Sequence, residues 1–167
     1  EQAFKTPIEK GKETLSIVES FAKVPLNFCP GTKFRYSLCH DVLGAVIEVV
    51  SGKKFSEFMK ETIFDKLGMK KTYFSPRANE NVADFYWNYE KDGIKPLEKL
   101  VPHIYCDGYE SGGAGLVSTV EDYVKFALAM ANDGKGENGA QILKPETIKD
   151  IYSPVLASIS VNNGFTC

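Results

Sequence analysis

A run of apolar residues at helical spacing constrains this chain most. Val42, Leu43, Val46, Ile47 and Val50 recur every three or four residues, and Ser51-Gly52 comes next as a stop signal. The spacing predicts a helix over 37–50. So wide an apolar face predicts a helix packed on most of its sides.

Other helix signals surround it. Thr6-Pro7-Ile8-Glu9 has the form of a capping box with proline in the first turn, but Gly11 weakens it. Ser16-Ile17-Val18-Glu19 is a second such box, and Pro25 ends the segment it opens, so a helix is expected over 14–23. The loop 24–34, with Pro25, Pro30 and Gly31, is expected to bury Leu26 and Phe28. Ser56 is expected to cap a helix carrying Phe58, Met59, Ile63 and Leu67, which Gly68 stops. The aromatic run at 85–89 and the Asp92-Gly93 turn predict a small hairpin within 82–97. A glycine-rich stretch at 108–115 leads to Ser118-Thr119-Val120-Glu121, another capping box. Its helix would present Val120, Tyr123, Val124, Ala127, Met130 and Ala131 and end near Gly134. Pro145 is expected to start a short helix over 145–152. The fold class expected is mainly α with a small β-hairpin, a single domain over 1–167.

Composition excludes several classes of function. A formal net charge of -2, with both signs mixed along the chain, gives no reason to expect nucleic acid or an acidic membrane as partner. No apolar run is long enough to span a membrane. The opening Glu1-Gln2-Ala3-Phe4-Lys5 has no signal-peptide pattern, which favours a cytoplasmic location over export. Cys29, Cys39, Cys106 and Cys167 form no CxxC pair and are expected to be buried thiols. His40 and His103 lie far apart, so neither a metal site nor a cofactor is expected.

Four stretches carry a resemblance. They are Pro25 to Thr32 followed by Phe34-Arg35-Tyr36-Ser37; Asp41-Val42-Leu43-Gly44 running to Ser51-Gly52; Ile63-Phe64-Asp65-Lys66-Leu67-Gly68-Met69 with Thr72-Tyr73-Phe74; and Ser111-Gly112-Gly113-Ala114-Gly115-Leu116-Val117-Ser118-Thr119 with Asp122-Tyr123. In order and spacing they resemble the serine β-lactamase and penicillin-binding superfamily, and more nearly its carboxylesterase branch. The resemblance implies the helical region of an α+β fold whose central sheet is largely missing from these residues. It also implies acyl-enzyme hydrolysis of an ester, a β-lactam or a D-amino-acid peptide, with a small acyl compound as substrate. A serine nucleophile is weak until a base takes its proton, and a phenolate beside an ammonium can be that base. By resemblance Tyr36 is that catalytic tyrosine; the other reading is a core tyrosine that only anchors its loop. Gly113, Ala114 and Gly115 would border the substrate cleft, or would serve only to make the turn before the next helix.

Three features depart from the family's pattern. Leu38 stands where class C β-lactamases usually carry an asparagine for a substrate amide, which favours an esterase or peptidase-like relative. Ser20-Phe21-Ala22-Lys23 and Ser51-Gly52-Lys53-Lys54 match Ser-x-x-Lys, but the first lies downstream of the family's nucleophile and Gly52 interrupts the second. Lys71-Thr72-Tyr73 lacks the glycine of a Lys-Thr-Gly strand. The nucleophile helix and the later sheet strands are therefore expected outside these residues, leaving the chain inactive alone and prone to self-association through exposed apolar surface. The other class of reading is a non-catalytic binding or regulatory module on the same scaffold.

Overall fold

The computed structural model describes residues 13–74, 82–83, 86–89, 93–96 and 108–154. The capping box at 6–9, His103, Cys106 and Cys167 lie outside them. Helix α1 (Thr14–Phe21) forms within the expected span, but its N-cap is Glu13 without a side-chain bond, and Ser16 sits inside the helix. Pro25 comes soon after, as its missing N–H requires. Helix α2 (Cys39–Ser51) ends at Gly52, whose φ of 68° is the left-handed conformation glycine adopts without strain.

The interior of α2 differs from the expectation. Its buried residues are Asp41, Gly44 and Ala45, with Glu48 half-buried, a stripe at helical spacing made of small and acidic side chains. Val42, Leu43, Val46, Val49 and Val50 point outward, Val50 being 81% exposed. The periodicity is real, but its apolar face is not the one packed within the described residues. Leu26 likewise stands 75% exposed, and Cys29 and Cys39 are exposed free thiols rather than core residues. Phe28 is half-buried.

The next helical stretch forms in three pieces: α3 (Phe55–Met59), a π-helical turn (Lys60–Phe64) and α4 (Asp65–Leu67). Lys54, not Ser56, is the N-cap. The C-terminal end is a Schellman motif. Gly68 has φ 69°, its N–H donates to the Asp65 carbonyl, and the Met69 N–H donates to the Phe64 carbonyl. Phe64, Leu67, Met69 and Ala129 form a buried cluster with Met59, Ile63, Phe126 and Ile142 packed on it.

Strand β1 (Tyr73–Phe74) pairs antiparallel with a strand not foreseen, β4 (Leu116–Val117), so that Phe74 faces Leu116. The expected hairpin is present as β2 (Tyr86–Tyr89) and β3 (Gly93–Pro96), in register from Tyr86–Pro96 to Tyr89–Gly93. Helix α5 (Val120–Ala131) buries Asp122 and Ala129, with Lys125, Phe126 and Met130 half-buried. Val120, Tyr123, Val124, Ala127, Leu128 and Ala131 form an outward apolar stripe. Here too the expected apolar face is mostly the exposed one. Helix α6 (Pro145–Ile151) starts on proline as expected and buries Ile148. Among the described residues no helix is long and apolar enough to cross a membrane.

Candidate functional site

Tyr36 lies on the extended segment just before α2 and is 66% exposed. Two residues later Leu38 is the N-cap of α2, and its carbonyl accepts from the N–H groups of Asp41 and Val42. The phenol is thus carried on a short lead into the first turn of α2.

That turn is held by a buried carboxylate. Asp41 is 1% exposed, and its Oδ1 accepts from the Tyr109 hydroxyl and from the Ser111 hydroxyl, each at 2.6 Å. Ser111 Oγ in turn accepts from the Ala114 N–H at 3.2 Å. Residues 112–115 therefore cross the start of α2 at close range. A Cβ on Gly112 would overlap the His40 carbonyl, and one on Gly113 would lie 3.3 Å from Asp41 Oδ2. A Cβ on Gly115 would stand 2.7 Å from the Ser111 carbonyl oxygen and 3.0 Å from the Phe74 ring. Glycine at 112 and 115 is thus a steric requirement of the crossing. Gly113 and Ala114 are exposed, whereas Gly115 is buried.

The same segment is tied to two further helices. The Glu110 N–H donates to Thr14 Oγ1 of α1 at 2.8 Å, and Glu110 Oε2 accepts from the Ser56 N–H at the start of α3 at 2.6 Å. Glu48 Oε1 accepts from the neighbouring Phe55 N–H at 3.1 Å. Burial raises the Glu48 carboxyl above the ordinary range, against the Phe55 N–H, which lowers it; the charges of Glu110 and Glu13 push it further up. Beneath lies the Phe55–Phe74 pair, with centroids 5.1 Å apart, on which Gly44 and Gly115 pack.

Neither Ser-x-x-Lys match is arranged as a nucleophile. Ser20 Oγ donates back to the Ile17 carbonyl of its own helix, and Ser51 Oγ accepts from the Lys53 N–H. Lys71 and Thr72 serve packing: the Lys71 N–H and the Thr72 hydroxyl both donate to Asp122 Oδ2. Asp122 also receives Lys125 Nζ at 2.9 Å, and that ammonium donates to the Gly68 carbonyl at the end of α4. Burial is the largest influence on the Asp122 carboxyl and would raise it. The Lys125, Lys71 and Thr72 donors together outweigh burial, and the group lies below its ordinary value. An open groove of about 800 Å³ between the end of α5 and α6 contains none of residues 36–41 or 111–115. Among the described residues no three His, Cys, Asp or Glu side chains converge to hold a metal.

The structure thus brings the start of α2, just beyond Tyr36, together with the edge that carries Gly113, Ala114 and Gly115. Asp41 and Ser111 stand inside recognisable motifs, yet the sequence alone assigns neither a role and does not single out Tyr109. An acidic residue in the first turn of a helix reads as a partner for the helix dipole, so only the fold reveals a buried acceptor.

The fold is that of a β-lactamase-like chain. The β-lactamase family model matches residues 1–155, and the chain belongs to that family. Among its relatives, the mitochondrial serine beta-lactamase-like protein LACTB of Mus musculus is 34% identical over 161 residues, covering 88% of this chain and 28% of its own length. Esterase EstB of Burkholderia gladioli is 32% identical over 146 residues, covering 77% of this chain and 35% of its own. Of the solved structures, a beta-lactamase-like protein from Bacteroides dorei superposes with a TM-score of 0.69 at 25% identity, over 96% of this chain and 41% of that one. The chain spans about a third of the length of the curated relatives it matches.

Proposed function

We propose that these residues are the helical portion of a serine hydrolase that works through an acyl-enzyme, with Tyr36 as the general base. The observation that carries this reading is the placement of an exposed tyrosine immediately ahead of α2 in a chain of the β-lactamase family. In the proposed reaction a serine hydroxyl attacks the carbonyl carbon of an ester, β-lactam or D-amino-acid peptide. The phenolate takes the serine proton, and the alcohol or amine is expelled with a proton (a β-lactam's nitrogen stays tethered to the acyl group). Water then cleaves the acyl-serine bond. The edge at Gly113, Ala114 and Gly115 would border the acyl group. Leu38, which offers no hydrogen bond to a substrate amide, supports an ester over a β-lactam.

The serine and its lysine would come from polypeptide outside these 167 residues, as would the strands of the central sheet. The outward apolar stripes of α2 and α5 support this, because such stripes gain stability only when something covers them. The isolated chain should leave p-nitrophenyl esters and nitrocefin intact, and labelling of Ser20 or Ser51 by a fluorophosphonate would refute that. In the complete gene product, Tyr36→Phe should lower kcat for a p-nitrophenyl ester by at least about 100-fold, within the range a general base contributes. A complete product with no Ser-x-x-Lys upstream would instead support the non-catalytic module, which Leu38 also favours.

A further inference from the structure

We infer that Asp41 is a positioning residue for this chemistry, holding the Tyr36 lead and the glycine edge at 112–115 as one unit. The inference rests on the reading of Tyr36 as the base. Three observations meet at this side chain. It is fully buried, although burying a carboxylate opposes folding unless donors surround it. One of its oxygens takes both the Tyr109 and Ser111 hydroxyls, and these two residues sit just before the glycine edge. Its own N–H donates to the carbonyl of Leu38, two residues after Tyr36. A force on either segment is therefore carried to the other through a single residue, by its carboxylate on one side and its main-chain N–H on the other.

A neutral side chain of similar shape would fill the same volume with less desolvation. What the charge adds is a pair of short, charge-assisted bonds, stiffer than neutral ones. The overlap that any Cβ at 112 would make with the His40 carbonyl leaves the crossing little freedom to be held from elsewhere. Asp41 touches no reacting atom; it sets where the phenol stands relative to the acyl-binding edge.

Asp41→Asn tests this, with Ile148→Ala in α6 as a stability-matched control remote from the crossing. In the complete gene product, Asp41→Asn should lower kcat for a p-nitrophenyl ester by at least about tenfold with a smaller change in KM, because small misplacements of catalytic groups are costly. The control, at a comparable drop in Tm, should stay within about twofold of the parent, since a remote stability loss does not misplace the reacting groups. In the 167-residue chain, amide exchange at 37–42 and at 111–115 should accelerate together in Asp41→Asn. If Asp41→Asn does not fold, Ser111→Ala, which removes one of the two donors, should show the same pattern to a smaller degree. Loss of Tm with kcat unchanged, or faster exchange in one segment alone, would overturn the inference. A parent product without hydrolase activity would refute the function reading instead, and the exchange experiment would then decide the coupling by itself.

Discussion

Thr14 is a first-turn helical residue that is fully buried, and its hydroxyl is the acceptor for the Glu110 N–H. Thr14→Val keeps the shape and removes the acceptor. Glu110 is half-buried, so its unpaired N–H costs up to about 1–3 kcal/mol, and a fall in Tm is expected in thermal denaturation. Gly112→Ala should cost about 3 kcal/mol, the upper end for overpacking, because the added methyl meets backbone rather than a movable side chain. Glu48 runs the other way. Its carboxyl sits above the ordinary 4.5, chiefly through burial, so ionising it opposes folding above the raised value, and the penalty disappears as pH falls through it. Glu48→Gln keeps an acceptor for the Phe55 N–H. It should raise Tm at about pH 7 and leave it unchanged at about pH 4, where the native carboxyl is already neutral.

At the level of elements, α5 is held by its first turn. The expected cap is Ser118 with Glu121, but Thr119 is the N-cap and accepts from the Asp122 N–H at 3.3 Å. The Asp122 side chain turns away to gather Lys71, Thr72 and Lys125, joining α5 to β1 and the end of α4. Asp122→Ala should cost about 1–3 kcal/mol in chemical denaturation, the loss typical of leaving hydrogen-bond donors without their acceptor. Because the Asp122 carboxyl lies below 3.8 when folded, its contribution is complete above that value and is lost as pH falls through the lower, folded value. Asp122→Asn should flatten that part of the acid-unfolding curve. Helix existence and ends were legible in the sequence wherever glycine or proline forced them, as at Gly52, Gly68 and Pro145. The buried face of α2 was not, since Asp41, Gly44, Ala45 and Glu48 carry no strong hydrophobic signal. The pairing of β1 with β4 was also out of reach, because two-residue strands show no alternation to read.

At the scale of the whole chain, the outward stripes of α2 and α5 among the described residues make self-association the expected behaviour. Light scattering should show association that grows with concentration, and Val50→Lys with Val124→Glu should suppress it. Each substitution should change stability by no more than about 0.5 kcal/mol, as expected where a side chain is already in water. The likeness to Tyr36 and the glycine edge could be read from motif order along the chain. The clamp through Asp41 could not, because its partners lie 68 and 70 residues away in sequence.

The π-helical turn at Lys60–Phe64 places one more residue in its loop than an α-helix would. A deletion there would restore ordinary winding and leave the residues beyond it close to their present phase, because the wide turn takes one residue more to complete the same rotation. Leu67 would stay in its hydrophobic cluster and Gly68 would keep its place as the terminating residue. Relatives one residue shorter at this turn should therefore need no compensating change before Met69, and a designed deletion of the exposed Glu61 should still fold.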